Sequence, residues 1–358
     1  MKKTKVAKNS NGFLDFSKER LLTIIQRFSQ TRILVIGDFI LDEFVWGSVE
    51  RISPEAPVPV VSVNRESFVP GGALNVANNI RTLGGNVSPC GLVGRDLWGR
   101  MLVREMRREG VETGGVIYDA NRRTTLKTRV VAHSQQVVRF DREDTQEISN
   151  EDLKRLLNHV RRALPEMDVV IIEDYGKGLI VPKLLTEVLK VAKKLKKPVL
   201  VDPKEKHFAY YRGVTAMTPN RKEAIAAYIQ ANGPVENGKK PDLHEVGKTL
   251  LKHFSSQAML MTLGEEGMLL FERDGSITKI PTMAKEVYDV SGAGDTVIAV
   301  LAMAMAAGAS MKEAALISNH AAGIVVGKLG TATVTSEELI SAIIANQPKL
   351  KKMVLAHA

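Results

Sequence analysis

Apolar positions along the chain follow two rhythms. Short, nearly unbroken apolar runs recur at 32–36 (RILVI), 87–93, 168–172, 198–201, 216–217 and 258–262. They are too short for helices and read as strands buried on both faces of a sheet. Between and around them, apolar residues recur at helical spacing over 14–28, 75–83, 97–109, 182–195, 221–230, 243–254 and 311–326, with another helix starting at Ser336. Segments 268–271 and 277–280 read as a hairpin. Strands alternating with helices predict an α/β fold with a mostly parallel sheet and helices on both faces.

Two patches break that alternation. Residues 44–46 and 58–63 read as short strands separated by Gly47 and by Ser53-Pro54-Glu55-Ala56-Pro57. The segment 124–141 (TTLKTRVVAHSQQVVRFD) alternates polar and apolar residues, as a two-sided hairpin does. Together they predict a small second sheet, a lid formed by 39–69 and 122–142 on a single core domain, 31–345. Residues 1–30 form an N-terminal extension and helix, with 1–12 polar and disordered, and 346–358 a C-terminal tail. Residues 232–242 read as a polar loop. A small isolated sheet is marginally stable, so two lids packed face to face, in a homodimer, are expected.

Composition narrows the class. Of 358 residues, 44% are hydrophobic, but no apolar run reaches the ~18–20 residues needed to cross a bilayer. The start, MKKTKVAKNSNGFLDF, has no apolar stretch behind its basic residues, so no secretory leader is expected, and a cytoplasmic location is. Cys90 is the only cysteine, which excludes an internal disulfide and a cysteine-based zinc site. The net charge of +10 comes from scattered lysines and arginines, and aromatics are only 5%. Nucleic-acid binding is therefore not expected; a basic surface is, with some cations facing small phosphorylated ligands. His133 and His207 lack metal-ligand spacing. Met303 and Met305 read as core filling.

The chemistry concentrates at 288–297, Tyr-Asp-Val-Ser-Gly-Ala-Gly-Asp-Thr-Val. An extended run crosses a Gly-Ala-Gly turn and enters an alanine-rich helix, 297–307, closed by Gly308. Such a turn offers backbone N–H groups and the positive end of a helix dipole to an anion. Asp295 is out of place beside an anion unless it removes a proton from a hydroxyl attacking a phosphoryl group, so the stretch reads as kinase machinery. Other nucleotide motifs fail: Gly323 to Lys328 (GIVVGK) is one residue short of a Walker A loop, and Val297 stands where a dinucleotide fingerprint needs glycine. The protein-kinase H-R-D and D-F-G are absent.

A second glycine segment, Pro70-Gly71-Gly72-Ala73-Leu74-Asn75-Val76-Ala77, allows close backbone approach of a ligand, with Asn75 either binding it or capping a helix. Gly84 and Gly94 follow it at set intervals. With the D-x-x-G-A-G-D stretch Asp289 to Asp295, these motifs resemble the ribokinase-like, or PfkB, family of sugar and nucleoside kinases, over about 33–335. The resemblance implies a ribokinase-like three-layer sandwich with a small β-sheet lid. Narrower segments are similar to the heptose 7-phosphate kinases of that family: Gly37-Asp38-x-x-Leu41-Asp42, Ser53 to Val60, Gln135 to Arg139, Asp174 to Gly178, Asp202-Pro203-Lys204, Thr218-Pro219-Asn220 and Gly327 to Thr331. They imply ATP-dependent phosphorylation of D-glycero-β-D-manno-heptose 7-phosphate at O1, in ADP-heptose and lipopolysaccharide inner-core synthesis. No H-x-G-H nucleotidyltransferase motif occurs, so a stand-alone kinase is expected. The alternatives are a kinase of another sugar or sugar phosphate, and a non-catalytic nucleotide-binding regulator.

The resemblance also implies roles. Asp295 is the base, and the N–H groups of Gly292, Ala293 and Gly294 hold the transferring phosphate. Asn220 and Glu223 organise Mg²⁺ and its waters near ATP without direct metal ligation; the same N-x-x-E spacing also reads as a helix cap. Thr262, Gly264 and Gly267 mark the nucleotide loop, or else an ordinary hairpin turn. Asn319 and Gly323 flank adenine and ribose, or else serve helix packing. Asp38, Asp42, Gly71, Gly72, Asn75 and Asp174 would bind sugar hydroxyls. Lys127, Arg129, Arg139 and Lys177 would bind the 7-phosphate, the chemically sensible division. Two positions depart from the pattern: Glu173 stands where a small residue is usual, and Ser291 where threonine is commoner.

Overall fold

Successive side chains of the first strand, β1 (Arg32–Gly37), point to opposite sides, and both sides are apolar. Ile33 and Val35 enter one core, Leu34 and Ile36 the other. That double burial makes β1 an internal strand with helices on both faces. The computed structural model describes residues 17–133, 135–233, 241–345 and 355–356. The expected residues 1–12, the first turn of helix 14–28, most of the 232–242 loop and nearly all of the 346–358 tail lie outside them.

In chain order, α1 (Lys18–Gln26) precedes β1; β2 (Phe39–Ile52) and β3 (Pro59–Gly72) follow, then α2 (Ala73–Thr82), β4 (Asn86–Gly94), α3 (Leu97–Arg108) and β5 (Gly115–Asp119). Next come β6 (Thr125–Ala132), β7 (Gln135–Arg142), α4 (Asn150–Ala163), β8 (Val169–Glu173), α5 (Pro182–Leu195), β9 (Val199–Asp202), β10 (Ala216–Met217) and α6 (Arg221–Asn232). The chain continues through α7 (Leu243–His253), β11 (Ala258–Thr262), β12 (Met268–Glu272), β13 (Ile277–Ile280), α8 (Ala293–Ala306), α9 (Met311–Val325), α10 (Ser336–Ala345) and β14 (Leu355–Ala356).

Ten strands form the main sheet in the order β14-β13-β12-β11-β10-β9-β8-β1-β4-β5. From β11 to β5 every pairing is parallel; β12, β13 and β14 add an antiparallel edge. Buried residues of α1, α2, α3, α8, α9 and α10 form the core on one face, and those of α4, α5, α6 and α7 the core on the other. The fold is the expected three-layer α/β arrangement. From β1 the chain moves out to β4 and β5, then returns to β8 on the other side. That reversal leaves a crevice at the carboxyl ends of β1 and β8, where open α/β sheets bind ligands.

The second sheet has the order β3-β2-β6-β7. The expected short strands are instead two fourteen-residue strands, β2 and β3. They stay paired past Gly47 because register shifts at Trp46/Gly47 and Val49/Arg51 absorb the mismatch. The proline-rich 53–57 segment is therefore the hairpin tip. Its base runs straight into α2, which starts at Ala73 rather than Asn75. β7 is exposed along its whole length, so the 124–141 hairpin has no simple alternation of buried and open sides. Three elements lie outside the expected alternation, β5, α4 and the two-residue β14.

Candidate active site

α8 begins at the crevice and is apolar around its whole circumference, with Val297 to Ala304 buried. A helix of that kind must lie between other layers, which drives its polar first turn against α2 and the strand ends. Gly292 takes the left-handed conformation at the cap (φ 76°). A side chain there would bring a Cβ within 2.6 Å of the Asn75 amide nitrogen. Glycine is thus required by both conformation and space.

Asp295, one turn in, is only 4% exposed. The Asn75 amide donates to its Oδ2 at 2.6 Å and the Tyr175 hydroxyl to its Oδ1 at 2.7 Å. Burial raises the pKa of this carboxyl above the ordinary range, while the two donors pull it back down. Behind Asn75, the Asn79 amide donates to the Asn75 carbonyl at 2.9 Å, and the Thr296 hydroxyl donates to Asn79 at 3.0 Å. This buried network locks α2 to α8 and fixes the orientation of the Asp295 carboxylate.

Two further carboxylates face Asp295. Glu173 and Asp202 end adjacent parallel strands and are partners in register. One oxygen from each of Glu173, Asp202 and Asp295 lies within 4.8 Å of the other two. The Thr218 hydroxyl donates to Asp202 Oδ1 at 2.8 Å. Burial and neighbouring acids raise both pKa values, that of Asp202 to about 8.

The residues expected on the acceptor side divide into two sets. Asp42 pairs with Arg129 at 2.6 Å, and a Cβ on Gly71 would strike the Asp42 carboxylate, so Gly71 leaves room for that pair. Gly72 (φ 58°) packs on the Asp38 carbonyl. Lys127 sits 5.9 Å from the centre of the Tyr175 ring; burial, then the charge of Lys177, lowers its pKa. Arg139 also contributes to that lowering, so the four cations lie in one region. Arg139 pairs with Asp141 and Lys177 with Glu143.

Asp38 and Asp174 are held by protein atoms. Asp38 accepts backbone N–H groups of Tyr175 (2.9 Å), Lys177 (3.0 Å) and Leu179 (3.4 Å), pinning the loop that carries Tyr175. Asp174 accepts from the Gly176 N–H at 2.8 Å and the Tyr211 hydroxyl at 2.6 Å, and meets His207 Nδ1 at 2.7 Å. Both acids therefore position the 174–179 loop, and His207, expected to be idle, joins them. Asn75 likewise gives its amide to Asp295.

On the nucleotide side, Asn220 and Glu223 form a capping box at α6, with Asn220 Oδ1 accepting from Lys222 and Glu223 and Glu223 Oε2 from the Asn220 N–H. Asn220 pairs with Thr262, which sets the 262–267 turn beside it. Gly264 and Gly267 both have positive φ, and a Cβ on Gly267 would lie 2.1 Å from the Ile280 carbonyl oxygen. Gly323 walls a cavity of about 440 Å³ with Met283, Tyr288 and Gly327, whereas the Asn319 amide holds the Pro281 carbonyl at 2.7 Å. Asp289 caps the anion turn by accepting from the Ser291 and Gly330 N–H groups. The residues missed from sequence are Tyr175, Asp202 and Glu173 as neighbours of the base. Tyr175 and Asp202 lie inside the Asp174 to Gly178 and Asp202-Pro203-Lys204 segments, which are signals in the sequence; only strand pairing reveals Glu173 beside them.

A family model described as pfkB family carbohydrate kinase matches residues 30–338. The chain belongs to the PfkB family of carbohydrate kinases. This PfkB kinase is 44% identical over 321 residues to the bifunctional protein HldE of Trichlorobacter lovleyi, covering 90% of this chain and 64% of that protein. It is 46% identical over 310 residues to the bifunctional protein HldE of Geobacter sulfurreducens, covering 87% and 62%. The kinase thus spans somewhat under two thirds of these relatives' length. Among solved structures, phosphofructokinase-2 from Escherichia coli in complex with potassium superposes with TM-score 0.69 at 19% identity, over 88% of this chain and 99% of that one. Arabidopsis thaliana ribokinase complexed with ribose and ATP gives 0.66 at 19%, over 87% and 98%. Those two likenesses establish the fold. Among the described residues no helix is long and apolar enough to cross a membrane.

Proposed function

We propose that this sugar kinase transfers the γ-phosphoryl group of ATP to O1 of D-glycero-β-D-manno-heptose 7-phosphate, giving the 1,7-bisphosphate and ADP. The observation that carries the reading is the buried Asp295 at the head of α8, oriented by Asn75 and Tyr175, with Lys127 over the ring of that tyrosine. The narrow sequence segments and the similarity to bifunctional HldE proteins support the choice of acceptor. Such a product would serve ADP-heptose and lipopolysaccharide inner-core synthesis.

The residues divide the work. Asp295 takes the proton of the acceptor hydroxyl as that oxygen bonds phosphorus and the bond to ADP breaks. The N–H groups of Gly292, Ala293 and Gly294 receive the charge that develops on the transferring phosphoryl group. Arg129, held by Asp42, and Lys127, Arg139 and Lys177 receive the 7-phosphate. The wall around Gly323 receives the base of ATP. Asp202 and Glu223, whose charges reach each other, offer oxygen donors of the kind that suits magnesium, with the charge of Lys204 also acting on Glu223. Mg²⁺ accompanying ATP would neutralise phosphate charge there, organised through water by Asn220 and Glu223.

An acceptor panel tests this reading: ribose, fructose 6-phosphate and both anomers of heptose 7-phosphate, each with ATP and Mg²⁺. The β-anomer is expected to give the highest kcat/KM. Faster turnover of another sugar would favour the alternative of a kinase for that sugar.

A homodimer belongs to the same proposal. Val137, Val138 and Phe140 on β7 and Ile52 and Val63 on β2–β3 are exposed apolar residues of the lid sheet. A second lid would cover them. Sedimentation at micromolar concentration is expected to give a dimer that Phe140→Asp dissociates; a wild-type monomer would contradict it.

A further inference from the structure

The Gly327 to Thr331 stretch stands out in the sequence and takes no part in the chemistry described above. It opens a loop, 327–335, that joins α9 to α10 and lies against the anion turn. The chain entering that turn has little packing to hold it: Val287, Tyr288 and Val290 are 60%, 65% and 68% exposed. Its position rests on polar bonds instead. The Tyr288 and Asp289 N–H groups donate to the Val326 carbonyl at 2.8 and 3.2 Å. Asp289 Oδ2 accepts from the Gly330 N–H at 3.0 Å, and Oδ1 from the Ser291 N–H at 2.9 Å. Thr331 closes the contact, its Cγ2 lying 3.6 Å from where a Cβ on Gly292 would stand. The turn is therefore placed only as well as the loop is.

A lysine fixes the loop. Lys328 Nζ donates to the Thr333 carbonyl at 2.8 Å and pairs with Glu338 Oε1 at 2.7 Å. Glu338 stands in the first turn of α10, a helix that Leu339 and Ile343 anchor in the core. It accepts the Thr335 N–H at 2.9 Å while its own N–H donates to the Thr335 hydroxyl at 3.2 Å, the reciprocal bonds of a capping box. The carboxylate is thus a fixed post. An ammonium group held on it draws the two arms of the loop together. A partly exposed ion pair adds little stability by itself; here its effect is on geometry.

We propose that Lys328 is a positioning residue for phosphoryl transfer: its ammonium closes the 327–335 loop on α10, and the closed loop, through Gly330 and Asp289, holds the N–H groups of the anion turn in place. The kinetic half of this rests on the role given to that turn in the kinase reading above; the tether itself does not. A neutral side chain at 328 leaves Glu338 its bonds to Thr335, so α10 stays where it is. It releases the Thr333 carbonyl and lets Gly330 move, and Asp289 with it. A loosened turn costs turnover more than ground-state binding, because its N–H groups meet the charge that develops on the transferring phosphoryl group.

Hydrogen exchange and kinetics of the full chain carrying Lys328→Met test the assignment. Without ligands, the amides of 286–294 are expected to exchange about fivefold faster or more, and those of 297–304 at the wild-type rate. With the sugar that the wild type phosphorylates fastest, kcat is expected to fall about tenfold or more, while the KM of ATP changes less than about threefold. Lys328→Arg keeps the charge and is expected to recover kcat to within about threefold of wild type. Arg161→Met, which breaks a comparably exposed pair with Glu187 between α4 and α5, is the control and should leave the 286–294 exchange and kcat within about twofold. If Lys328→Met does not fold, Glu338→Gln carries the test in milder form. Its amide still accepts the Thr335 N–H but holds the ammonium without charge, and exchange of 286–294 is expected to quicken about twofold.

Unchanged exchange at 286–294 in the folded variants would overturn the tether. So would a weakening of ATP binding as large as the loss of kcat/KM, which would make Lys328 a contact to the nucleotide, or an equal loss of kcat in Arg161→Met, which would make its role merely structural. Faster exchange with kcat unchanged would leave the tether standing and overturn both the kinetic half of the proposal and the role of the anion turn in the kinase reading.

Discussion

Asp295→Asn is expected to lower kcat by about three powers of ten or more while leaving the fold and both ligand affinities nearly intact. The substitution preserves volume, and an asparagine carbonyl still accepts one of the two bonds from Asn75 and Tyr175. What disappears is the proton acceptor. General-base assistance contributes roughly 10²–10⁴-fold, and the buried amide also loses the negative charge that polarises the attacking hydroxyl. Calorimetric binding of ATP and sugar phosphate separates this effect from lost affinity. The acid limb of the wild-type profile should report a carboxyl titrating above the ordinary range, since burial raises Asp295. That limb should vanish in the variant. Near-wild-type turnover with intact binding would remove Asp295 from the base role.

Gly292→Ala is expected to be the second most damaging change, for two separable reasons. The left-handed conformation at φ 76° costs a side-chain-bearing residue about 1–2 kcal/mol. The new Cβ would also lie 2.6 Å from the Asn75 amide nitrogen. Asn75 must then retreat from Asp295, leaving a buried carboxylate short of a donor and the anion turn displaced. Loss of one such donor costs about 10²–10³ in kcat, so a fall of about 100-fold or more is expected. Gly308→Ala supplies the control. Gly308 has φ 88°, and a Cβ added there would meet nothing within 4 Å, so the variant should lose comparable stability and keep kcat within about twofold. Equal kcat losses in the two variants would mean that backbone strain alone, and no contact with Asn75, explains the effect.

The sequence made the fold largely readable because its signals are local. Parallel strands buried on both faces appear as unbroken apolar runs, and α8 appears as an apolar helix behind a glycine turn. The helix Asn150–Ala163 was equally readable in principle: Leu153, Leu156, Leu157 and Val160 keep a 3.6-residue spacing, and Ser149 caps it. Its heavily charged exposed face hides that stripe among polar residues. The lid was legible as a second sheet but not in extent, because β2 and β3 carry exposed polar positions and a register shift at Gly47 that blur alternation.

At the site, the anion turn and Asp295 were legible because they are contiguous. The partners of Asp295 were not, since Asn75 and Tyr175 reach it across 220 and 120 positions of sequence. Asp38 and Asp174 illustrate the converse. A carboxylate near a strand end reads as a ligand group, yet these two hold the backbone of the 174–179 loop. Glu173 was visible only as a departure from the usual small residue, and its pairing with Asp202 depends on strand register.

The most direct measurement is an NMR analysis of the product formed from ATP, Mg²⁺ and the pure β-anomer of D-glycero-D-manno-heptose 7-phosphate. The expected product is the β-1,7-bisphosphate, with a new phosphorus coupling at C1, formed stoichiometrically with ADP and not formed by Asp295→Asn. Phosphorylation at any other carbon, or no transfer to this sugar alongside efficient transfer to another, would contradict the proposed function.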